Sequence, residues 1–174
     1  MNTAQTADLD ASTLRAIRAL MDEAFEGDFS DEDWDHVLGG MHVLAWDGDE
    51  LVGHGAVAQR RVAYDGRAWR CGYVEGVAVS ARRRRHGLAA GIMGEIERLI
   101  RGAYDLGALS TTDKGIPLYE SRGWVRWRGP TSAITPRGIE HTPDDDDSVF
   151  VLPVTVELDP DGEITCDWRE GDVW

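Results

Sequence analysis

The chain has 174 residues, 42% hydrophobic and 29% charged, a size and balance that fit one globular domain with its own core and exclude a disordered or fibrous chain. Thirty-two Asp and Glu against 18 Lys and Arg give a formal net charge of −14, which makes nucleic acid a poor partner and a polycation a good one. No apolar run reaches membrane-spanning length, and the first residues, MNTAQTADLD, lack the basic and apolar regions of a signal peptide, so no membrane partner is expected and the cytoplasm is the expected location.

The charge is unevenly laid out. Residues 22 to 50 hold eleven acids and no Lys or Arg, and residues 140 to 174 hold twelve acids against the single Arg169. Residues 60 to 101 reverse this, with ten Arg against four acids. Cys71 and Cys166 lie 95 residues apart without a paired spacing, so buried or half-buried thiols are expected rather than a disulfide or a zinc site.

In chain order, Leu14, Ile17, Leu20, Met21 and Ala24 recur at helical spacing and predict an amphipathic helix over 11–25, with Ser12 as its cap. Ser30 or Asp31 is suited to cap a short helix from Glu32 to Leu38, ended by Gly39 and Gly40. Met41 to Trp46, Leu51 to Arg61 and Trp69 to Val79 read as strands joined by turns at Asp47–Glu50 and Tyr64–Arg67, which makes an antiparallel meander. The period then changes to that of a helix, with Leu88, Ile92, Met93, Ile96 and Ile100 on one face and an end near Gly102. A strand over Tyr104–Ser110, a helix through Pro117 to Ser121 capped by Thr112 or Asp113, and a strand over Trp124–Trp127 follow, and the two strands are expected to be parallel neighbours. Residues 129 to 147 read as a loop with three prolines and a four-Asp run; Val149–Leu158 reads as a strand, and Asp159–Gly162 as a turn. One domain over 1–174 is expected, in the mixed α/β class, with helices on the faces of a mixed sheet.

Chemistry concentrates where the strand VEGVAV gives way to the long helix. Arg84, Arg85, His86, Gly87, Leu88 and Ala89 fit the pattern Arg/Gln-x-x-Gly-x-Gly/Ala. Small residues at a helix start let a ligand approach outward-pointing N–H groups, and the helix dipole with nearby arginines favours negative charge, so a diphosphate is the expected ligand. Glu75 interrupts the apolar strand just upstream, where a bare carboxylate is costly unless it has a partner or a role, and it is the candidate general base. The run Asp144 to Asp147 lacks the spaced pattern of a calcium loop, and no metal is expected.

Taken with Pro117-Leu118-Tyr119-Glu120-Ser121-Arg122-Gly123-Trp124, the loop resembles the Gcn5-related N-acetyltransferase (GNAT) superfamily, which pairs such a diphosphate loop with a later Tyr-x-x-x-Gly-Phe/Trp helix end. The blocks GDFSDEDWDHVLGGMHVL, CGYVEGVAV, RGAYDLGALS, YESRGW, GPTS, TPDDDD, VFVLPV and CDWREGDVW further resemble the aminoglycoside 2′-N-acetyltransferases of mycobacteria and related bacteria, a resistance family.

The resemblance implies the acyl-CoA N-acyltransferase fold: a meander followed by β-α-β-α-β with splayed central parallel strands, and acetyl-CoA as cosubstrate. It implies that Val77, Ala78 and Val79 face the pantetheine, with Val77 N–H as an oxyanion donor, and that Arg84 to Ala89 hold the pyrophosphate. Glu75 would act through a water and Tyr119 as acid, a phenol of pKa about 10 lending a proton to a thiolate of about 8.5. Asp28, Asp33, Glu75, Gly76, Ser110, Asp144 or Asp145, and Trp174 with its terminal carboxylate would surround the drug, whose ammonium groups call for carboxylates. Superfamily members often pair, so a homodimer is also implied, although no stretch marks an interface. The alternatives are the same fold acting on another amine or hydroxyl metabolite, such as a polyamine or a cell-wall or thiol precursor, and a protein that binds CoA or drug without turnover.

Overall fold

A computed structural model describes residues 1–174. Ten strands, β1 (Asn2–Gln5), β2 (Met41–Asp47), β3 (Glu50–Tyr64), β4 (Arg67–Val79), β5 (Leu106–Ser110), β6 (Val125–Arg126), β7 (Thr131–Thr135), β8 (Gly138–His141), β9 (Val149–Pro153) and β10 (Ile164–Asp167), alternate with four α-helices. The helices are α1 (Ala11–Ala24), α2 (Asp31–Val37), α3 (Leu88–Ala103) and α4 (Ile116–Glu120). Contacts divide the chain into two compact units, Met1–Ala58 with Val74–Leu99, and Gln59–Tyr73 with Ile100–Trp174. No helix is long and apolar enough to cross a membrane.

In the first unit β1, β2 and the start of β3 are antiparallel, and the first half of β3 neighbours the second half of β4. Asp10, not Ser12, caps α1: its carboxylate accepts from Thr13 N–H, and Ser12 Oγ donates to the same oxygen. A carboxylate with two donors is the stronger cap, and its pKa falls to about 2 because Ser12 and Thr13 bond the charged form. Ser30 caps α2 in a reciprocal capping box with Asp33. One face of the strands packs on α1 and α2 through Ile17, Leu20, Met21, Val37, Leu44, Ala56 and Ala78. On β3, a Cβ at Gly53 or Gly55 would come within 2.8 Å of Ile92 or Ile96, so these glycines are what let α3 approach the strand.

In the second unit β3 turns into β4 through Asp65 and Gly66, both in the left-handed region at φ 49° and 70°, the geometry of a two-residue hairpin loop. β4 pairs in parallel with β5 over Cys71, Gly72 and Tyr73, and later residues of β4 belong to the first unit. The expected parallel neighbours, β5 and β6, run the same way but do not touch, because β9 pairs antiparallel with both and lies between them. The segment read as loop holds the β7–β8 hairpin, and β7 pairs in parallel with β10. α4 starts at Gly115 with no side-chain cap, so neither Thr112 nor Asp113 serves, and β9 ends at Pro153 rather than Leu158 because proline cannot continue a ladder. Trp127, Tyr73, Val149, Val151, Ile164, Cys166 and Trp174 form this unit's core. Cys71 and Cys166 are free, buried thiols, and burial pushes both thiol pKa values up, that of Cys166 to about 11.

Candidate functional site

The last residues of β4 lead straight into the loop that the sequence singles out. Glu75, Gly76, Val77 and Val79 are half-buried and Ala78 is buried. Ser80 N–H bonds Val52 O at 3.0 Å; beyond it Ala81–Arg83 make a 3-10 turn, Arg84 is extended, and Arg85 and Gly87 take left-handed φ of 65° and 76°. The first bond of α3 runs from Gly91 N to Gly87 O at 3.0 Å, so the N–H groups of Leu88, Ala89 and Ala90 precede the helical ladder and can serve a ligand. Arg84 Nε folds back onto Val79 O at 3.3 Å, and His86 Nδ1 lies 2.8 Å from Arg84 O. Arg82 and Arg83 are engaged by Glu50 and Asp47 on the β2–β3 turn. Residues 81–87 are exposed, and an exposed helix start with left-handed backbone and arginines suits a diphosphate.

Gly76 sits inside β4 with φ +52°, and a Cβ there would come within 2.9 Å of Val37 Cγ2. Both facts require glycine. Its carbonyl is held by His54 Nδ1 at 2.8 Å, so the bend beside Glu75 has a specific partner. Asp28 is exposed between α1 and α2, while Asp33 is half-buried and one of its oxygens accepts from Ser30 N–H at 2.9 Å. Asp33 therefore has a capping role whatever else it does.

In the second unit Tyr119 is buried on α4, its ring edge-on to Trp124 at 6.1 Å and tilted to Phe150 at 6.3 Å. Burial pushes its pKa up to about 12, which makes the phenol a firmer holder of its proton than the ordinary value suggests. Ser110 Oγ bonds Ser148 Oγ at 3.0 Å, and Ser148 Oγ reaches Asp145 O at 2.8 Å, so Ser110 and the acidic loop are joined. Asp144 is exposed. The Asp145 carboxyl is raised by burial first and then by Asp172, with Asp144 and Asp146 adding to it. Asp172 is thus a carboxylate near Asp145 that the sequence reading did not single out, though it lies within the CDWREGDVW block. Asp146 instead braces the loop, accepting from Thr131 N, Thr131 Oγ1 and His141 Nε2 at 2.9–3.0 Å. A cleft of about 340 Å³ opens here, lined by Thr111, Asp113, Ile116, Asp146, Asp147 and Ser148. No group of three or more His, Cys, Asp or Glu is arranged to hold a metal.

Trp174 is buried, and the tail before it is held by Arg60, whose guanidinium donates to Asp167 Oδ1, Asp167 O and Val173 O at 2.6–2.8 Å. Burial works against that charge, but Tyr73, Cys166 and Asp167 around it raise the Arg60 pKa overall. Arg60, His42 and His54 passed unnoticed in the sequence. His42 and His54 are polar residues within apolar stretches, the same signal that drew attention to Glu75, whereas Arg60 stands between Gln59 and Arg61 and shows no such contrast.

Three comparisons bear on this arrangement. The sequence model of the acetyltransferase (GNAT) domain matches residues 6–126. The aminoglycoside 2′-N-acetyltransferase of Mycolicibacterium fortuitum is 53% identical over 173 residues, covering 97% of this chain and 89% of that protein. Among solved structures, the GNAT family N-acetyltransferase YhbS from Escherichia coli in complex with CoA superposes with a TM-score of 0.64 at 18% identity, over 93% of this chain and 87% of that one. The ribosomal-protein-S18-alanine N-acetyltransferase from Escherichia coli gives 0.59 at 15%, over 90% and 96%; at such identities the likeness concerns the fold. The chain belongs to the GNAT acetyltransferases, in the family of the Mycolicibacterium fortuitum aminoglycoside 2′-N-acetyltransferase.

Proposed function

We propose that this protein, acting as one domain over residues 1–174, transfers the acetyl group of acetyl-CoA to the 2′-amine of aminoglycoside antibiotics. The observation that carries the reading is 53% identity to an enzyme of that name across nearly the whole chain. Acetyl-CoA supplies the activated thioester. Arg84, Arg85 and the N–H groups from His86 to Ala89 bind its pyrophosphate, and the Val77–Val79 edge binds its pantetheine, a role supported by the exposed left-handed loop ahead of α3.

The 2′-nitrogen attacks the thioester carbonyl, with Val77 N–H taking the developing oxyanion. The C–N bond forms as the C–S bond breaks, the ammonium proton passes through a water to Glu75, and Tyr119 supplies a proton to the departing sulfur. With the phenol raised to about 12 and a thiolate near 8.5, full transfer from Tyr119 runs uphill; a hydrogen bond that strengthens as charge grows on sulfur is its main contribution. Asp28, Asp33, Ser110, Asp144, Asp145 and Trp174 bind the drug, and Gly76 lends backbone contacts. Carboxylates raise the pKa of nearby ammonium groups, so the reacting amine is served by water-mediated Glu75 rather than by a direct ion pair.

The test is release of CoA thiol in the presence of acetyl-CoA and paired aminoglycosides bearing a 2′-amine or a 2′-hydroxyl. Turnover confined to the 2′-amino drugs is expected, and equal release with both groups removes the regiospecific claim. Glu75→Gln should lower kcat while leaving acetyl-CoA affinity close to normal.

A further inference from the structure

We infer that His54, backed by His42 and Thr6, is a positioning residue for acetyl transfer: it holds the Gly76 carbonyl and so fixes the bend of β4 that presents Glu75. This rests on the catalytic reading above and adds to it three residues given no role there.

The geometry forms one directed chain. His54 Nδ1 lies 2.8 Å from Gly76 O, His54 Nε2 lies 2.9 Å from His42 Nδ1, and His42 Nε2 lies 2.8 Å from Thr6 Oγ1. A carbonyl can only accept, so His54 Nδ1 carries the proton and its Nε2 must accept. His42 Nδ1 then donates, its Nε2 accepts, and the Thr6 hydroxyl donates. Gly40 O, the other group within reach of that hydroxyl at 3.2 Å, already accepts Thr6 N–H at 3.1 Å. Every site in the chain is thus matched with both imidazoles neutral. Both rings are fully buried, and burial lowers His42 to about 4 and His54 to about 3.

Strand register builds the chain. His42 pairs with Ala56, so His54, two residues away on β3, lies diagonally across on the same face. Thr6 follows β1, whose Gln5 pairs with Met41. The far end grips Gly76, whose φ of +52° turns it out of regular strand geometry next to the proposed base. Glycine takes φ > 0 without steric cost, so the residue alone does not fix the bend and its surroundings must hold it. Here the hold is Val37 and Met21 on one side and His54 on the carbonyl.

Three substitutions separate the roles. His54→Asn keeps an N–H donor near the Nδ1 position, His54→Gln reaches toward His42 instead, and His54→Leu removes both bonds. His54→Leu and His54→Gln are expected to lower kcat about tenfold or more, the scale of a displaced reacting group, with KM for acetyl-CoA within about twofold of normal. His54→Asn should recover most of kcat. A folded His54→Leu with unchanged kcat, equal loss in all three, or parallel loss of acetyl-CoA affinity overturns the inference. Histidine ¹⁵N NMR on the unsubstituted protein tests it without any variant: a protonated Nδ1 and bare Nε2 are expected on both rings, and the opposite tautomer on His54 overturns it. If the unsubstituted protein acetylates no aminoglycoside, the substrate reading fails, while the tautomer measurement still decides the hydrogen-bond chain.

Discussion

Arg60 Nη1 donates to the carbonyl of Val173 at 2.6 Å, across 113 positions of sequence. The same guanidinium bonds both the carboxylate and the carbonyl of Asp167 and lies over the Tyr73 ring at 4.8 Å. One buried side chain therefore ties β3 to β10 and to the residue preceding Trp174. Replacing it leaves Val173 O with only the weak Cys166 thiol donor at 3.3 Å and strips part of Asp167 of its donors, although Arg61 N–H still serves Asp167 at 3.0 Å.

Arg60→Met is expected to cost about 3 kcal/mol in a urea titration, the lower end for breaking a buried pair, because Asp167 keeps solvent access. Since Trp174 is proposed as a drug contact, the variant should also raise KM for aminoglycoside more than KM for acetyl-CoA. Arg60→Lys, with a point charge in place of the planar fork, should recover only part of either effect. An Arg60→Met protein with normal stability, or with equal increases in both KM values, contradicts this role for the side chain.

Tyr119→Phe keeps the ring that packs against Trp124 and Phe150 and removes only the hydroxyl. Stability should change by less than about 1.5 kcal/mol, while kcat falls about a hundredfold, the scale of losing one hydrogen-bond donor to a developing anion. With its pKa pushed up to about 12 by burial, the phenol stays protonated through an ordinary assay range. The limbs of the kcat/KM–pH profile should therefore sit at the same pH in the variant as in the unsubstituted enzyme, at a lower level. Disappearance of the alkaline limb in Tyr119→Phe would mean that Tyr119 titrates within the assayed range.

The local features of this fold were legible from residue order, and the non-local ones were not. The change of period at Gly87 and the Asp65–Gly66 hairpin are written in a few adjacent residues, and the structure has both. The insertion of β9 between β5 and β6 depends on pairing between distant segments, which no local pattern encodes. Three prolines and a four-Asp run made 129–147 read as loop, but Pro130 precedes β7, Pro136 lies in the turn, and Pro143 and the Asp run follow β8, so no ladder position is lost. The histidine pair was hidden by a bulge at Ala45–Trp46 that shifts the β2–β3 register by one residue. Without it His42 would oppose Gly55, and His54 would point to the other face.

That buried pair also predicts a pH dependence of stability. In the unfolded chain a histidine takes up its proton near pH 6.5, whereas in the folded protein burial delays uptake to about 4 for His42 and about 3 for His54. Between those values the unfolded state binds more protons, so stability rises with pH across the window, is complete above about 6.5, and is lost as pH falls from there toward 4. The slope approaches about 1.4 kcal/mol per pH unit for each histidine, or about 2.8 for both. His42 is the titratable neighbour acting on His54, and Met21 and Val37 beside Gly76 and His54 are apolar. Carboxylates held at low pKa, such as Asp10 at about 2, add their own loss chiefly below pH 4. Urea midpoints at pH 7, 6 and 5 should therefore fall steeply for the unsubstituted protein and much less for His42→Leu/His54→Leu. Equal slopes in the two proteins would assign the acid sensitivity to groups other than the buried pair.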